Sequence, residues 1–366
     1  MKRKMMAVLA TAMAAVFMAA CSSGTDSTTA ADTTVADTTA AAEDTTAAGA
    51  SAAGEESSAE EGGAAVTGQS FTVGICQLAP HPALDAATQG FMEKLTELME
   101  ASGNEVNFEE ENANGDQPTC STIINQFVSS DVDLILANAT APLQAAASAT
   151  GDIPILGTSI SDYGTALDDS SMSTVTGRNI SGTSDLAPLD QQAEMLQEWF
   201  PDAQNVGLLY CSSEANSQYQ IGVIKPILEE MGYACTEYTF TDSNDLSSIV
   251  SQAVQNCDVI YVPTDNTAAD NTGIIANAAI PAQVPVIAGE EGICAGCGVA
   301  TLSISYYELG ETTAQMAYDI LVNGADVSTM EIQYAPNLTK KYNADICSQL
   351  GLTPPDGYEA VDTSEE

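Results

Sequence analysis

The chain has 366 residues, with 51 Asp and Glu against eight Lys and Arg, one His and a formal net charge of −43. Phosphate backbones are bound by clustered Lys and Arg, so this balance excludes nucleic acid as a partner. It also argues against a phosphate, sulfate or phosphonate ligand, unless backbone amides alone were to hold one.

Lys2, Arg3 and Lys4 precede sixteen uncharged, mostly apolar residues, 5–20. This is a basic n-region with an apolar stretch too short to favour a stable membrane span. It ends in Met18-Ala19-Ala20-Cys21, which resembles the bacterial lipoprotein signal. Residues 1–20 are therefore expected to be a signal peptide, and Cys21 the lipidated, palmitate-bearing first mature residue. Ordinary cleavage after an A-x-A-like site is the alternative. Residues 21–68 form an acidic Ser/Thr/Ala/Gly tether: over 22–68 there are nine carboxylates, no base and no aromatic residue. Such a segment buries too little apolar surface to offset its ordering entropy. As a flexible coil it would span about 40 Å end to end.

From residue 70 short apolar runs alternate with helical patterns. FTVGICQL (71–78) reads as a strand; Leu84, Ala87, Phe91, Leu95 and Leu98 then fall on one helix face. There follow a strand NEVNF (104–108), a helix 117–130, a strand DLILAN (133–138), a helix from 141, and a strand IPILG (153–157). Residues 175–186 carry no strong periodicity. The pattern restarts with the helical face Leu189, Ala193, Leu196 and Phe200, which also takes in Trp199 as core. Strands NVGLLY (205–210), ACTEYTF (234–240), DVIYVP (258–263) and VPVIAG (284–289) alternate with helices 216–231, 244–256 and 267–280. VATLSIS (299–305) leads into a helix 306–323, and EIQYAP (331–336) is the last predicted strand. Two such runs imply two lobes, each a parallel sheet with helices on both faces.

In open parallel sheets the binding crevice lies beyond the carboxyl ends of the strands. That places the candidate site on the loops 77–83, 138–142, 157–163, 211–217, 264–267, 289–298 and 305–307. His81 lies in the first, before Pro82 at a helix start. No G-x-x-x-x-G-K, G-x-S-x-G or H-E-x-x-H occurs. A Ser-His-Asp or Cys-His arrangement would have to use His81 as its base, with no nucleophile pinned opposite it, so no catalytic residue is assigned. His81 is either a rim residue of a binding site or a turn residue packed on its neighbours. Cys294-Ala-Gly-Cys297 lacks a second ligand pair and a thioredoxin-like context, so no metal site or cofactor is assigned; eight cysteines besides Cys21 leave the pairing open. The loops offer neutral hydrogen-bonding groups and a few acids: Gln77, Leu78 beside it, Thr140, Thr158, Ser159, Asn216, Asp265, Asn266, Glu290 and Ser305. Each polar one is also a plausible helix cap.

The segments VGICQLAPHPALDAATQGF, DLILANATAPLQAAASAT, NISGTSDLAPLDQQ, VIYVPTDNT and SISYYELGETTAQMAYDIL occur in this order. Together they resemble the tryptophan/tyrosine-permease-type (uncharacterised ABC transporter) binding-protein family, ABC-importer solute-binding lipoproteins with the type I periplasmic-binding-protein fold. The resemblance runs from about Phe71 to Pro355. It implies an α/β fold of two Rossmann-like lobes joined by three hinge crossovers, near 180, 302 and 328. Lobe 1 is then 69–180 and 303–327, and lobe 2 is 184–300 and 328–361. Ser305 stands where several relatives carry Asp at a hinge.

The expected function is extracytoplasmic capture of a small polar or zwitterionic ligand, possibly an aromatic amino acid, for an ABC permease and ATPase. The protein is expected to be a monomer, anchored to the cell membrane by lipid, with no enzymatic activity. A lipid-anchored sensor or receptor, or a thiol-dependent enzyme on the same fold, is the alternative. Thr140, Thr158 and Ser159 would supply donors to a ligand carboxylate. Asp265 would hold the ammonium, with Glu290 in reserve. Asn216 and Gln77 would complete the hydrogen bonds, and His81, Leu78 and a tyrosine would flank the side chain.

Overall fold

The computed structural model describes residues 67–335 and 337–362. The expected signal peptide, Cys21 and nearly all of the expected tether lie outside the described residues. The elements in order are β1 (Ser70–Gln77), α1 (Pro82–Ser102), β2 (Glu105–Asn112), α2 (Gln117–Ser130), β3 (Leu134–Asn138), α3 (Thr140–Ala149), β4 (Ile155–Ile160), α4 (Tyr163–Ala166) and β5 (Ile180–Ser184). There follow α5 (Leu189–Trp199), β6 (Asn205–Cys211), α6 (Ala215–Glu230), β7 (Ala234–Phe240), α7 (Ser243–Ala253), β8 (Val259–Val262), α8 (Asn266–Ala269), α9 (Thr272–Ala282), β9 (Val286–Ala288), α10 (Glu291–Gly296) and β10 (Ala300–Ser303). The chain ends with α11 (Tyr306–Leu321), β11 (Gln333–Tyr334), β12 (Thr339–Tyr342), α12 (Ala344–Leu350) and β13 (Glu359–Ala360).

One sheet runs β11-β5-β4-β3-β1-β2 and the other β13-β12-β10-β9-β8-β6-β7. All pairings are parallel except β10 with β12. Parallel sheets need cover on both faces, and the strands alternate accordingly. Val73 and Ile75 of β1 pack with Phe91 and Leu95 of α1 and Ala314 of α11, whereas Cys76 packs with Ile124 and Phe127 of α2. In the second sheet Leu208 faces Leu196 and Ile224, while Leu209 faces Leu246 and Val250. Each sheet with its helices is a lobe. Three crossovers join them: β5 to α5, β10 to α11, and β11 to β12.

α1 and α11 lie against one another through reciprocal glycines. A Cβ at Gly310 would stand 2.1 Å from the Ala87 carbonyl oxygen, and one at Gly90 would stand 2.2 Å from that of Tyr307. This close approach brings the N-terminus of α11 to the crossovers.

Several features differ from the sequence expectation, beyond the short helices α4, α10 and α12 that it did not include. β5 occupies the stretch without periodicity, because Ile-Ser-Gly-Thr-Ser satisfies its buried hydroxyls by hydrogen bonds rather than by apolar packing. The predicted helix 267–280 is two helices, broken between α8 and α9. The predicted last strand shrinks to β11, and β12 and β13 follow it. The third crossover also lies later than 328, since β11 pairs with β5 in the first sheet and Ile332 N–H donates to Thr174 O. Residues 328–334 therefore lie with lobe 1.

Candidate functional site

The C-terminal strand ends of the two sheets face one another. His81 caps no N–H of α1; its ring reaches the other lobe, with Nε2 3.2 Å from Asn266 Oδ1. Asn266 Nδ2 donates to Glu214 Oε2 at 2.7 Å, so its Oδ1 is an acceptor and His81 Nε2 carries the proton. His81 Nδ1 is then a bare acceptor, buried and unpartnered. Burial lowers the His81 pKa, against the smaller opposing effects of Asn266 and Glu214. Two further bonds cross the cleft: Gln117 Nε2 donates to Ser213 O at 3.0 Å, and Gln220 Nε2 to Ser161 Oγ at 3.2 Å. The lobes are closed.

At the end of β4 the register to β5 shifts between Gly157 and Ile160, and Ser159 adopts a left-handed φ of 57°. Its hydroxyl is buried with no partner. Tyr163 holds this bulge by sharing its one hydroxyl proton between Gly157 O at 3.0 Å and Thr183 O at 3.1 Å. Gly182 opposite has φ 141°, and a Cβ there would stand 2.0 Å from Gly157 O, so only glycine fits.

Directly after β5 lies Asp185, 4% exposed, on the first crossover. Ser161 Oγ donates to its Oδ1 and Tyr306 OH to its Oδ2, each at 3.0 Å. Burial pushes its carboxyl up from 3.8 to about 6, against the pull of those two hydroxyls. Glu290, 3% exposed, accepts from Gly292 N at 2.6 Å and Ile293 N at 2.5 Å, and burial raises its pKa from 4.5 to about 7. Asp185 and Glu290 also repel one another electrostatically. Sequence reading missed Asp185 because β5 was not recognised, so the acid at its carboxyl end was never counted among the crevice residues.

The other expected residues divide into two groups. Those of lobe 2, apart from Asn266 with its bond to His81, are bound up within it. Asp265 accepts from Cys211 N at 2.7 Å, Ser217 Oγ at 2.8 Å and Ala268 N at 2.8 Å, with its pKa pushed by burial, then by Glu214, to about 8. Asn216 Nδ2 donates to Glu214 Oε2 and Thr264 O. Glu214, which sequence reading also missed, takes in Asn266 N, Thr267 N and the Thr267 hydroxyl besides. In lobe 1, Gln77 is spent on Ala79 O, Asp85 and Thr88, and Leu78 is core. Thr158 joins a hydroxyl chain through Thr183 to Thr313 of α11 and so faces into its own lobe. Thr140 is buried at the start of α3, and Ser305 caps α11 by accepting Glu308 N at 3.2 Å. At the end of β3, Asn138 donates to Leu84 O and Thr88 Oγ1 but leaves its Oδ1 buried and unpartnered.

Two hollows flank the crossovers. One of about 580 Å³ is bounded by Ser161, Ser184, Leu186, Tyr219, Ile332 and Tyr334. The other, about 630 Å³, reaches Glu290, Ser305, Tyr306 and Lys341. Both fall in the size range of small-molecule sites. Burial drives the Cys294 thiol well above its usual range, away from the thiolate that is the reactive species. Among the described residues, no group of three or more His, Cys, Asp and Glu has a geometry that could hold a metal ion.

Residues 72–362 match the ABC transporter substrate binding protein family. The chain belongs to that family. It is 34% identical over 249 residues to the tyrosine-binding protein of Clostridioides difficile (strain R20291), covering 68% of this chain and 72% of that one. It is similar to an ABC domain from Streptococcus pneumonia solved in complex with L-Trp, at 28% identity and a TM-score of 0.74, covering 78% and 96% of the two chains. Against the ligand-free, open structure of a Clostridium difficile substrate-binding protein with adhesive properties, identity is 36% and the TM-score 0.61, covering 80% and 100%. The lower score against the more identical, open chain is the ordering expected when the lobes here are drawn together. Members of this family are solute-binding partners of ABC permeases and act outside the cytoplasm, and the two-lobed fold is theirs.

Proposed function

We propose that this protein captures an aromatic amino acid between its lobes and delivers it to an ABC permease and ATPase pair. The observation that carries this reading is Asp185: a buried acid at the crossover, held by the hydroxyls of Ser161 and Tyr306, with no cation facing it among the described residues. A buried carboxylate without a counter-charge is costly, and a ligand ammonium supplies one. Glu290 is the second acid of that floor. Ser159 Oγ and nearby amides meet the carboxylate. Tyr219, Leu186, Ile332 and Tyr334 border a hollow suited to an aromatic ring. The tyrosine named for one relative and the L-Trp bound to another support the same ligand class. The protein works as a monomer with no catalytic step. Lipidation of Cys21, with the acidic stretch to residue 68 as tether, holds it at the outer face of the cell membrane.

A thermal-shift panel of amino acids, nucleosides, sugars and oligopeptides tests this. Tyrosine, tryptophan or phenylalanine should raise the melting temperature. A response confined to sugars or nucleosides would remove the amino-acid reading.

A further inference from the structure

The unsatisfied hydrogen-bonding capacity of the cleft is unequal in kind. His81 Nδ1 and Asn138 Oδ1 are acceptors only, and Ser159 Oγ alone of the unpartnered atoms there can donate. Asp185 and Glu290 each accept one protein donor per oxygen, so lone pairs remain on both. Donors of matching strength are missing. Five basic side chains lie among the described residues, and none is free to meet an anion in the cleft. Lys94, Lys225 and Lys340 pair with Glu97, Glu237 and Glu198 at 2.6–2.9 Å on the lobe surfaces. Lys341 borders the hollow that Glu290 reaches, but it is bound to both oxygens of Glu291 at 2.6 and 2.7 Å. Arg178 is exposed and precedes β5, at the end of the strand opposite the cleft.

From this asymmetry we infer that the amine is the determinant of recognition, and that decarboxylated arylethylamines are ligands of the same cleft. The inference rests on the aromatic-amino-acid reading above and extends its substrate class. An ammonium offers three donors to a floor rich in charged and neutral acceptors. A carboxylate finds only neutral donors, the hydroxyls of Ser159, Tyr219 and Tyr334 and backbone amides, and removing it leaves no buried cation stranded. Removing the amine leaves two buried acids without a counter-charge, which is the more expensive loss.

Titration calorimetry on the full chain tests this with three ligand sets: tyrosine and tryptophan; tyramine and tryptamine; and the deaminated 3-arylpropionates. The amines should bind within about tenfold of the amino acids, and the arylpropionates at least about a hundredfold more weakly. Amines more than about tenfold weaker than the amino acids, or arylpropionates binding comparably, would overturn the inference while leaving the amino-acid reading in place. Binding of none of the three would remove both. Asp185→Asn should weaken amino acid and amine by the same factor. If that variant does not fold, Glu290→Gln makes the same comparison, and a loss confined to the amino acid would count against the proposal.

Discussion

The two walls of the cleft are built from similar residue types and are used differently. On the lobe 2 wall, Asp265, Asn216 and Glu214 spend their polar atoms on one another and on the starts of short helices. On the lobe 1 wall and the first crossover, Ser159, His81 and Asn138 each leave a buried atom unpartnered, and the side chains that hold Asp185 are two neutral hydroxyls. Polar residues at strand ends therefore do not identify a binding face by themselves. A satisfied wall is scaffold, and the wall with capacity left over is the one that a ligand completes.

The sharpest way to break this comparison is to exchange the roles of two buried aspartates. Asp185→Asn should weaken aromatic amino-acid binding about tenfold to a hundredfold, the value of a charged hydrogen bond. Asp265→Asn turns an amide N–H toward one of three donors, so it should lower the melting temperature by several degrees while leaving the dissociation constant within about threefold. Calorimetry and thermal denaturation of both variants decide this, and the reverse pattern would make lobe 2 the recognition wall.

Next in size is pH. Asp185 and Glu290 hold their protons in the fold up to about 6 and about 7, whereas the unfolded chain releases them near 3.8 and 4.5. The fold binds more protons than the unfolded chain between those values, so stability falls as pH rises from about 4 to about 7. Without ligand, the melting temperature should drop by on the order of 5 °C across that range. Asp185→Asn with Glu290→Gln should make the fall smaller, leaving the part due to Asp265, whose pKa is raised to about 8. A ligand ammonium favours the ionised acids, so binding near pH 6.5 should release protons and weaken as the solution is acidified; calorimetry in buffers of different ionisation enthalpy measures this.

Ser159→Gly is expected to have opposite effects on stability and binding. It relieves a left-handed serine, so stability should rise by up to about 1 kcal/mol. It also deletes the unpartnered hydroxyl, so affinity should fall about threefold to tenfold. Equal losses in both would mean that the hydroxyl is structural. The smallest effect is expected from Asn266→Ala, which removes the partner of His81 across the cleft. Small-angle scattering should show a slightly larger radius of gyration for the ligand-free variant and no change with ligand bound.

The doubly wound pattern was legible because buried parallel strands such as DLILAN and DVIYVP are apolar runs between amphipathic helices. β5 was not, because its five residues include two serines, a threonine and a glycine whose burial depends on Tyr163, Thr313 and the Met330 carbonyl. With β5 unread, Asp185 became an acid in an irregular stretch, while Asp265 and Glu290 stood out as caps before helices. Both do cap. His81 lies on the loop between β1 and α1, as its position before Pro82 leads one to expect, but its partner lies 185 positions away and only the tertiary fold brings them together. Unpartnered atoms such as Ser159 Oγ leave no mark in sequence, since satisfaction is a property of the surroundings.

The most direct test of the central claim is a crystal structure with tyrosine or tryptophan bound. The account predicts the ligand ammonium within hydrogen-bonding distance of the Asp185 carboxylate, and the Ser159 hydroxyl engaged by the ligand. An ammonium seated on Asp265, with Asp185 still bound only to Ser161 and Tyr306, would contradict it.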